Sequence, residues 1–371
     1  MATIEPYETA AGKRYRVRYR KPDGKQTDKR GFKRKVDAER FANTIEVDKL
    51  TGSYIPPTAG RVTIGELGPN WLKRQSAHMK PSSVHSIESA WKVHVEPVWG
   101  RTRINAIKHS EVQSWIAELS SRRSPSLVRD AHSVLARILD DAVRDRQLAS
   151  NPAREVKLPP KRRAPNKYLT AKQMVMLAQE SGRYGSLVLL LSLVGLRWGE
   201  AAGIRVADID FLRRTATLHE NAVRVGGETH VGSLKSHKHR TVPLPKTVAT
   251  ELARSCEGKG REDLLWPSSK GKHLGPPSSH DSWLSGAVGR CRKVDETFPR
   301  VTAHDLRHTA ASLAVASGAN VKAIQKMLGH ASAAMTLDVY ADLFNDDLEA
   351  VARKLEKVVG KMWAESKARP A

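Results

Sequence analysis

The chain has 371 residues, 40% of them apolar, which is enough for two or three domains and at least one substantial core and is not the composition of a disordered chain. Lys and Arg number 63 against 39 Asp and Glu, a net charge of +24, so the expected partner is a polyanion, either nucleic acid or an anionic membrane surface. The membrane side is weak: the longest apolar run, Leu187 to Leu196, is broken by Ser192 and Gly195 and falls well short of the ~20 residues that span a bilayer.

The N-terminal Met1-Ala2-Thr3-Ile4-Glu5-Pro6 lacks the basic start and apolar stretch of a signal peptide, which leads to the expectation of a soluble, cytoplasmic protein. In the first segment, residues 1–57, Lys13 to Arg20 alternates strictly. Tyr15, Val17 and Tyr19 point one way, and Arg14, Arg16, Arg18 and Arg20 the other. Pro22-Asp23-Gly24 is a turn signal, a second strand is predicted from Gln26 to Phe32, and a helix from Lys35 to Leu50 with Val36, Phe41, Ile45 and Val47 as its apolar positions. A two-stranded ribbon fits the DNA major groove. Four arginines on one face repel each other unless an anion lies nearby, so DNA contact is expected here in preference to a merely solvated basic face.

Ser53 to Gly60 reads as a linker. The second segment, residues 61–157, is predicted to be helical over Ile64 to Met79, Pro81 to Val95, Ser110 to Leu119 and Ser126 to Arg146, with Trp71, Trp91 and Trp115 in its core and Asn151-Pro152 ending the last helix. Arg101, Arg103, Lys108, Arg122 and Arg123 make its connections basic, as a helical DNA clamp requires. Pro159 to Pro165, with Lys161, Arg162 and Arg163, is an extended positive linker suited to a phosphate backbone. In the third segment, residues 166–371, Thr170 caps a helix and Leu187 to Val194 forms an apolar one. Short strands are predicted at Ala216 to Leu218, Ala222 to Val225 and Thr241 to Leu244, and the remainder is helical. Past Asn345-Asp346-Asp347, an apolar stripe of Leu348, Val351, Leu355, Val358, Val359 and Met362 predicts a tail helix that docks on its own domain or on a neighbouring protomer.

Cys256 and Cys291 read as free thiols, and no Walker loop, dinucleotide fingerprint or zinc cluster is present, so neither cofactor nor metal is expected. Cutting DNA without a metal needs cations on the phosphate, a nucleophile and a proton donor for the leaving oxygen. Arg197 and Arg307 offer bidentate bonds to non-bridging oxygens. Tyr340 offers a hydroxyl whose pKa, ordinarily about 10, nearby cations lower. His304, three residues before Arg307 and on the same helical face, and His330, at a glycine-preceded helix start, are candidate proton carriers, and Lys235 a candidate general acid. Glu200 reads as support for the arginine clamp, His308 as a structural residue facing elsewhere, and Trp198 as packing. Each motif alone is more often a surface helix, a basic loop or a core tyrosine; their order together is the signal.

That order resembles the tyrosine recombinase family, the phage integrases and their relatives. The match lies in an arginine in Gly-x-Arg-x-x-Glu (Arg197, Glu200), a lysine on a β-hairpin (Lys235) followed by Thr241-Val242-Pro243-Leu244, a His-x-x-Arg box (His304, Arg307), Leu-Gly-His (His330) and then Tyr340. The second segment resembles the family's core-binding domain through Pro97-x-x-Gly100 and Asn151-Pro152, the first resembles a lambda-type arm-binding domain, and the layout is most similar to mycobacteriophage-type integrases. The resemblance implies a multidomain α+β fold: a small sheet-plus-helix domain, an all-α domain and a mostly α catalytic domain with a small antiparallel sheet. It also implies a 3′-phosphotyrosyl intermediate, a homotetramer on double-stranded core-type and arm-type sites, and the use of a host DNA-bending factor and an excisionase. A resolvase-like recombinase, a non-catalytic repressor on the same fold and a type IB topoisomerase are the alternatives. The arm-like segment argues against the first, the complete catalytic set against the second, and exchange between two defined sites would exclude the third.

Overall fold

In the computed structural model, which describes residues 2–56, 58–161, 165–233, 240–340, 343, 352–353, 355–360 and 363, the chain forms two units, Met1–Arg163 and Ala164–Ala371. The first unit begins with an antiparallel sheet of three strands, not two: β1 (Thr3–Tyr7), β2 (Arg14–Arg20) and β3 (Gln26–Phe32), with β2 central. The alternation works as expected, sending Val17 and Tyr19 into a small core with Ala38, Ala42 and Ile45 of α1 (Lys35–Leu50) and with Tyr54. The helix phase differs from the expected one. Val36 and Val47 are exposed because the small side chains of Ala38 and Ala42 face the sheet.

The same unit holds a separate helical core. α2 (Ile64–Ser76) starts at a Thr63 capping box, in which Thr63 and Glu66 satisfy each other's backbone donors. α3 (Pro81–Ala90) does not stop at Val95. It passes through a π-helical turn, Trp91–Val95, into α4 (Glu96–Trp99). α5 (His109–Arg122) and α6 (Pro125–Arg144) complete the bundle. Trp71, Trp91 and Trp115 are buried. Asn151 closes it by donating to Ala136 O at 2.8 Å and accepting from Ala153 N at 2.8 Å. Gly68 of α2 lies directly against the Trp91 ring; a Cβ there would fall 2.1 Å from the nearest ring carbon.

In the second unit, α7 (Ala171–Glu180) is capped by Thr170, and α8 (Gly185–Val194) is the buried centre, which explains its nearly continuous apolar sequence. After the left-handed Gly195 comes α9 (Trp198–Ala202). β4 (Ile209–Asp210), β5 (Thr215–Leu218) and β8 (Arg240–Pro243) form one sheet, and β6 (Glu220–Val225) and β7 (Glu228–Ser233) a hairpin. β1, β4 and β7 were not expected. The helices α10 (Lys246–Cys256), α11 (Trp283–Val294), α12 (Ala303–Ala316), α13 (Val321–Leu328) and α14 (Ala333–Tyr340) follow. Of the tail stripe, Leu355, Val358 and Val359 are exposed, whereas Asn345, Asp346, Asp347, Leu348, Val351 and Met362 lie outside the described residues. Among the described residues, no helix is long and apolar enough to cross a membrane.

Replacing Gly68 by Ala is expected to lower stability by about 1–3 kcal/mol through overpacking against Trp91, measured as a shift in the urea midpoint. An unchanged midpoint would show that the ring has room to move.

Candidate active site

A helix leaves its last carbonyls without intrahelical donors. At the end of α13, where Gly329 adopts a left-handed conformation (φ 64°), three successive carbonyls are each taken by a different arginine. Arg240 Nη1 donates to Met327 O at 2.8 Å, Arg307 Nη2 to Leu328 O at 2.8 Å and Arg197 Nη2 to Gly329 O at 3.0 Å. The guanidinium groups repel one another, but the negative end of the helix dipole draws all three. One carboxylate joins them. Glu200, 3% exposed, accepts from Arg197 Nη1 at 2.8 Å, from Arg197 N at 2.9 Å and from Arg240 Nη2 at 2.7 Å. Burial raises its pKa, but Arg240 and Arg197 outweigh burial and hold it below the ordinary value.

The two arginines expected to act together differ in access. Arg197, at the N-cap of α9, leaves 34% of its side chain exposed. Arg307 is 3% exposed and also donates to Gly195 O at 2.5 Å. Burial first, and then Arg197, bring Arg307 down to about 10, still charged at neutral pH.

His304 stands in the first turn of α12, and burial, then Arg307, lower its pKa. His308 does not face elsewhere. It lies one helical turn beyond His304, with ring centroids 4.6 Å apart, and its Nδ1 is 2.8 Å from Tyr340 Oη. His330 lies in the connection before α14, not at a helix start. Its Nδ1 is 3.0 Å from Thr336 Oγ1, and its ring is nearly parallel to that of Tyr340 at 6.4 Å. Burial is the largest influence on all three: it pushes His308 and His330 down to about 4 and Tyr340, 1% exposed, up to about 12. Arg307 lowers the tyrosine pKa as expected, but burial wins. Proton transfer from Tyr340 to His308 is uphill in this state, because burial disfavours both the phenolate and the imidazolium. Lys235 lies outside the described residues, as do Arg162 and Arg163; Lys161 is exposed.

On the N-terminal sheet the anion missing from the sequence reading is present. Glu5, opposite Arg16 in β1, accepts from Arg16 Nε at 2.8 Å and from Arg18 Nη1 at 3.2 Å. Arg14 and Arg20 bond to nearby backbone carbonyls. In the middle of the row, at Arg16 and Arg18, Glu5 therefore relieves the repulsion that was expected to call for DNA. Arg240 is not among the residues singled out from the sequence, and His308 was expected to be structural. The four-residue spacing from His304 to His308 was the available signal for the latter; for Arg240, whose partners are distant in sequence, local spacing carried none.

Two family models match the chain: the phage integrase family over residues 167–346, and the phage integrase N-terminal SAM-like domain over residues 63–120. The integrase of Mycobacterium phage D29 is 27% identical over 340 residues, covering 88% of this chain and 86% of that protein. Among solved structures, the Tn1549 transposon integrase in complex with a circular intermediate DNA aligns with a TM-score of 0.68 at 19% identity, over 80% of this chain and 99% of that one. A lambda integrase tetramer bound to a Holliday junction aligns with a TM-score of 0.56 at 17% identity, over 88% and 95%.

His308 and His330 are held neutral in the folded chain at about 4, against an ordinary 6.5. The stability they confer is therefore present above pH 6.5 and lost as the pH falls towards 4. The melting temperature is expected to drop across that window, and less steeply in His308→Gln. A profile of equal steepness in the variant would remove His308 from the account.

Proposed function

The chain belongs to the phage integrase family of tyrosine recombinases, enzymes of site-specific recombination, and from that premise we propose that it cuts and rejoins DNA through Tyr340. The supporting observation is that Arg197, Arg307, His304, His330 and Tyr340, spread over 144 positions of sequence, are gathered around the end of one helix.

Tyr340 Oη attacks phosphorus, the bond to the 5′ oxygen breaks, and that oxygen leaves with a proton. The product is a 3′-phosphotyrosyl link and a free 5′-hydroxyl. A 5′-hydroxyl from the partner strand reverses the step, and the covalent link conserves the bond energy, so no ATP is consumed. Arg197 is the guanidinium open to the phosphate, and its other bonds, to Glu200 and Gly329, aim it. Arg307 supplies positive field from beneath. Lys235 serves as general acid towards the leaving oxygen, with His304 and His330 as proton carriers. Because Tyr340 is buried against His308, its ring leaves that bond before attack.

Residues 61–157 and 166–371 grip core-type DNA, and the sheet of residues 1–57 reads arm-type sites with Arg14, Arg16, Arg18 and Arg20. Lys161, Arg162 and Arg163 follow the backbone between them. Four protomers act around two duplexes through a Holliday junction, as in the lambda integrase tetramer, and the exposed Leu355, Val358 and Val359 support docking of the tail on a neighbouring protomer. The reaction integrates phage DNA into the host chromosome in the cytoplasm and excises it, with a host bending factor and an excisionase as accessory partners.

The test is a covalent trap in EDTA with DNA flanking the chain's own gene. A denaturation-resistant protein–DNA band is expected with wild type and none with Tyr340→Phe. Binding without a band, even on nicked DNA with a bending factor, would leave only a binding function. In the same assay Arg16→Ala with Arg18→Ala is expected to weaken binding to arm-type DNA and spare cleavage of a core-only duplex. Loss of core cleavage would contradict that division.

A further inference from the structure

Arg240 has no part in the reaction described above, yet it shares Glu200 with the phosphate-binding arginine. It is the first residue of β8, paired in register with Leu218 of β5, whose side chain is buried, as is that of Val242 in β8. The strand is therefore fixed in the core and delivers the guanidinium from a rigid base. Nη1 is spent on Met327 O, Nη2 on Glu200, and Nε is buried without a hydrogen-bond partner among the described residues. Only 17% of the side chain is exposed, so Arg240 is not an open ligand for DNA. The turn above is moulded on it: a Cβ on Gly329 would come within 2.6 Å of Nη1.

The electrostatics follow from the sharing. Arg197 alone with Glu200 would form a neutral pair, and a phosphate approaching Arg197 would meet a carboxylate directly behind it. That carboxylate orients Arg197 through both the side chain and the backbone, so it cannot simply be removed. A second cation on the same carboxylate keeps the orientation and cancels the charge.

We propose that Arg240 is a positioning residue that offsets the charge of Glu200, leaving Arg197 net positive towards the scissile phosphate. The proposal rests on the reading of Arg197 as the phosphate ligand. Without Arg240, Glu200 would hold Arg197 correctly placed but electrostatically blunted.

The experiment is single-turnover cleavage by the full-length protein of a nicked duplex carrying the site recovered by the Tyr340 trap, with duplex binding and melting followed in parallel. Arg240→Gln is expected to slow cleavage about a hundredfold. Adding Glu200→Gln is expected to recover at least tenfold of that loss, because the charge to be offset is gone. The comparison that does not depend on the single variant folding is Glu200→Gln against Glu200→Gln/Arg240→Gln, which are expected to agree within about threefold. A merely structural arginine would cost the same in either background, and that result, or an undiminished Arg240→Gln, overturns the proposal. Arg197→Gln is the control: if it cleaves like wild type, the reading of Arg197 fails, not the role given to Arg240.

Discussion

The site depends on the C-terminal end of one short helix, α13. Three positive groups have to be held within reach of one another, and ion pairing alone would neutralise what it assembled. The carbonyls of Met327, Leu328 and Gly329 solve this differently. They are strong acceptors at the negative end of a dipole, yet they carry no formal charge and cannot be protonated. Among the described residues Glu200 is the one carboxylate bonded to these guanidinium groups, so three guanidinium charges face a single negative charge there, and the cluster stays cationic. The left-handed glycines Gly195 and Gly329 let the chain turn at the ends of α8 and α13, where the guanidinium groups insert, and α12 and β8 carry Arg307 and Arg240 on elements packed into the core.

The same burial that concentrates positive field also keeps the Tyr340 hydroxyl from ionising. Around Tyr340 the loss of water outweighs the attraction of Arg307, so the phenol stays protonated and bonded to a neutral imidazole. α14 presents Met335 and Leu337 to solvent, so the helix that carries the tyrosine is held to its own unit mainly through its other face.

Much of this was legible in the sequence wherever the determinants are local. Alternation located β2, the turn signal after it led to β3, Thr170 announced its helix, and the spacing of short motifs singled out the residues now found together. What escaped is long-range. β1 contains Pro6 and no clear alternation, and exists because β2 offers it an edge. The phase of α1 is set by two alanines against a sheet, which hydrophobicity alone ranks below Val36 and Val47. The π-helical turn at Trp91 accommodates a ring seated on a glycine in another helix. Arg240 finds its carboxylate 40 residues away and its carbonyl 87 away, distances over which no local pattern operates.

Glu5 carries a consequence of its own. A free counterion expelled from a basic surface gains the whole volume of the solution, which is why salt so strongly governs association with polyanions. Glu5 is a counterion fastened to the sheet: displaced from Arg16 and Arg18, it moves only as far as its side chain allows and stays ready to return. A polyanion laid on that face gains less entropy per arginine than the charge row suggests, and competes with an anion whose effective concentration no dilution lowers. A phosphate laid on the N-terminal sheet therefore has to share Arg16 and Arg18 with Glu5.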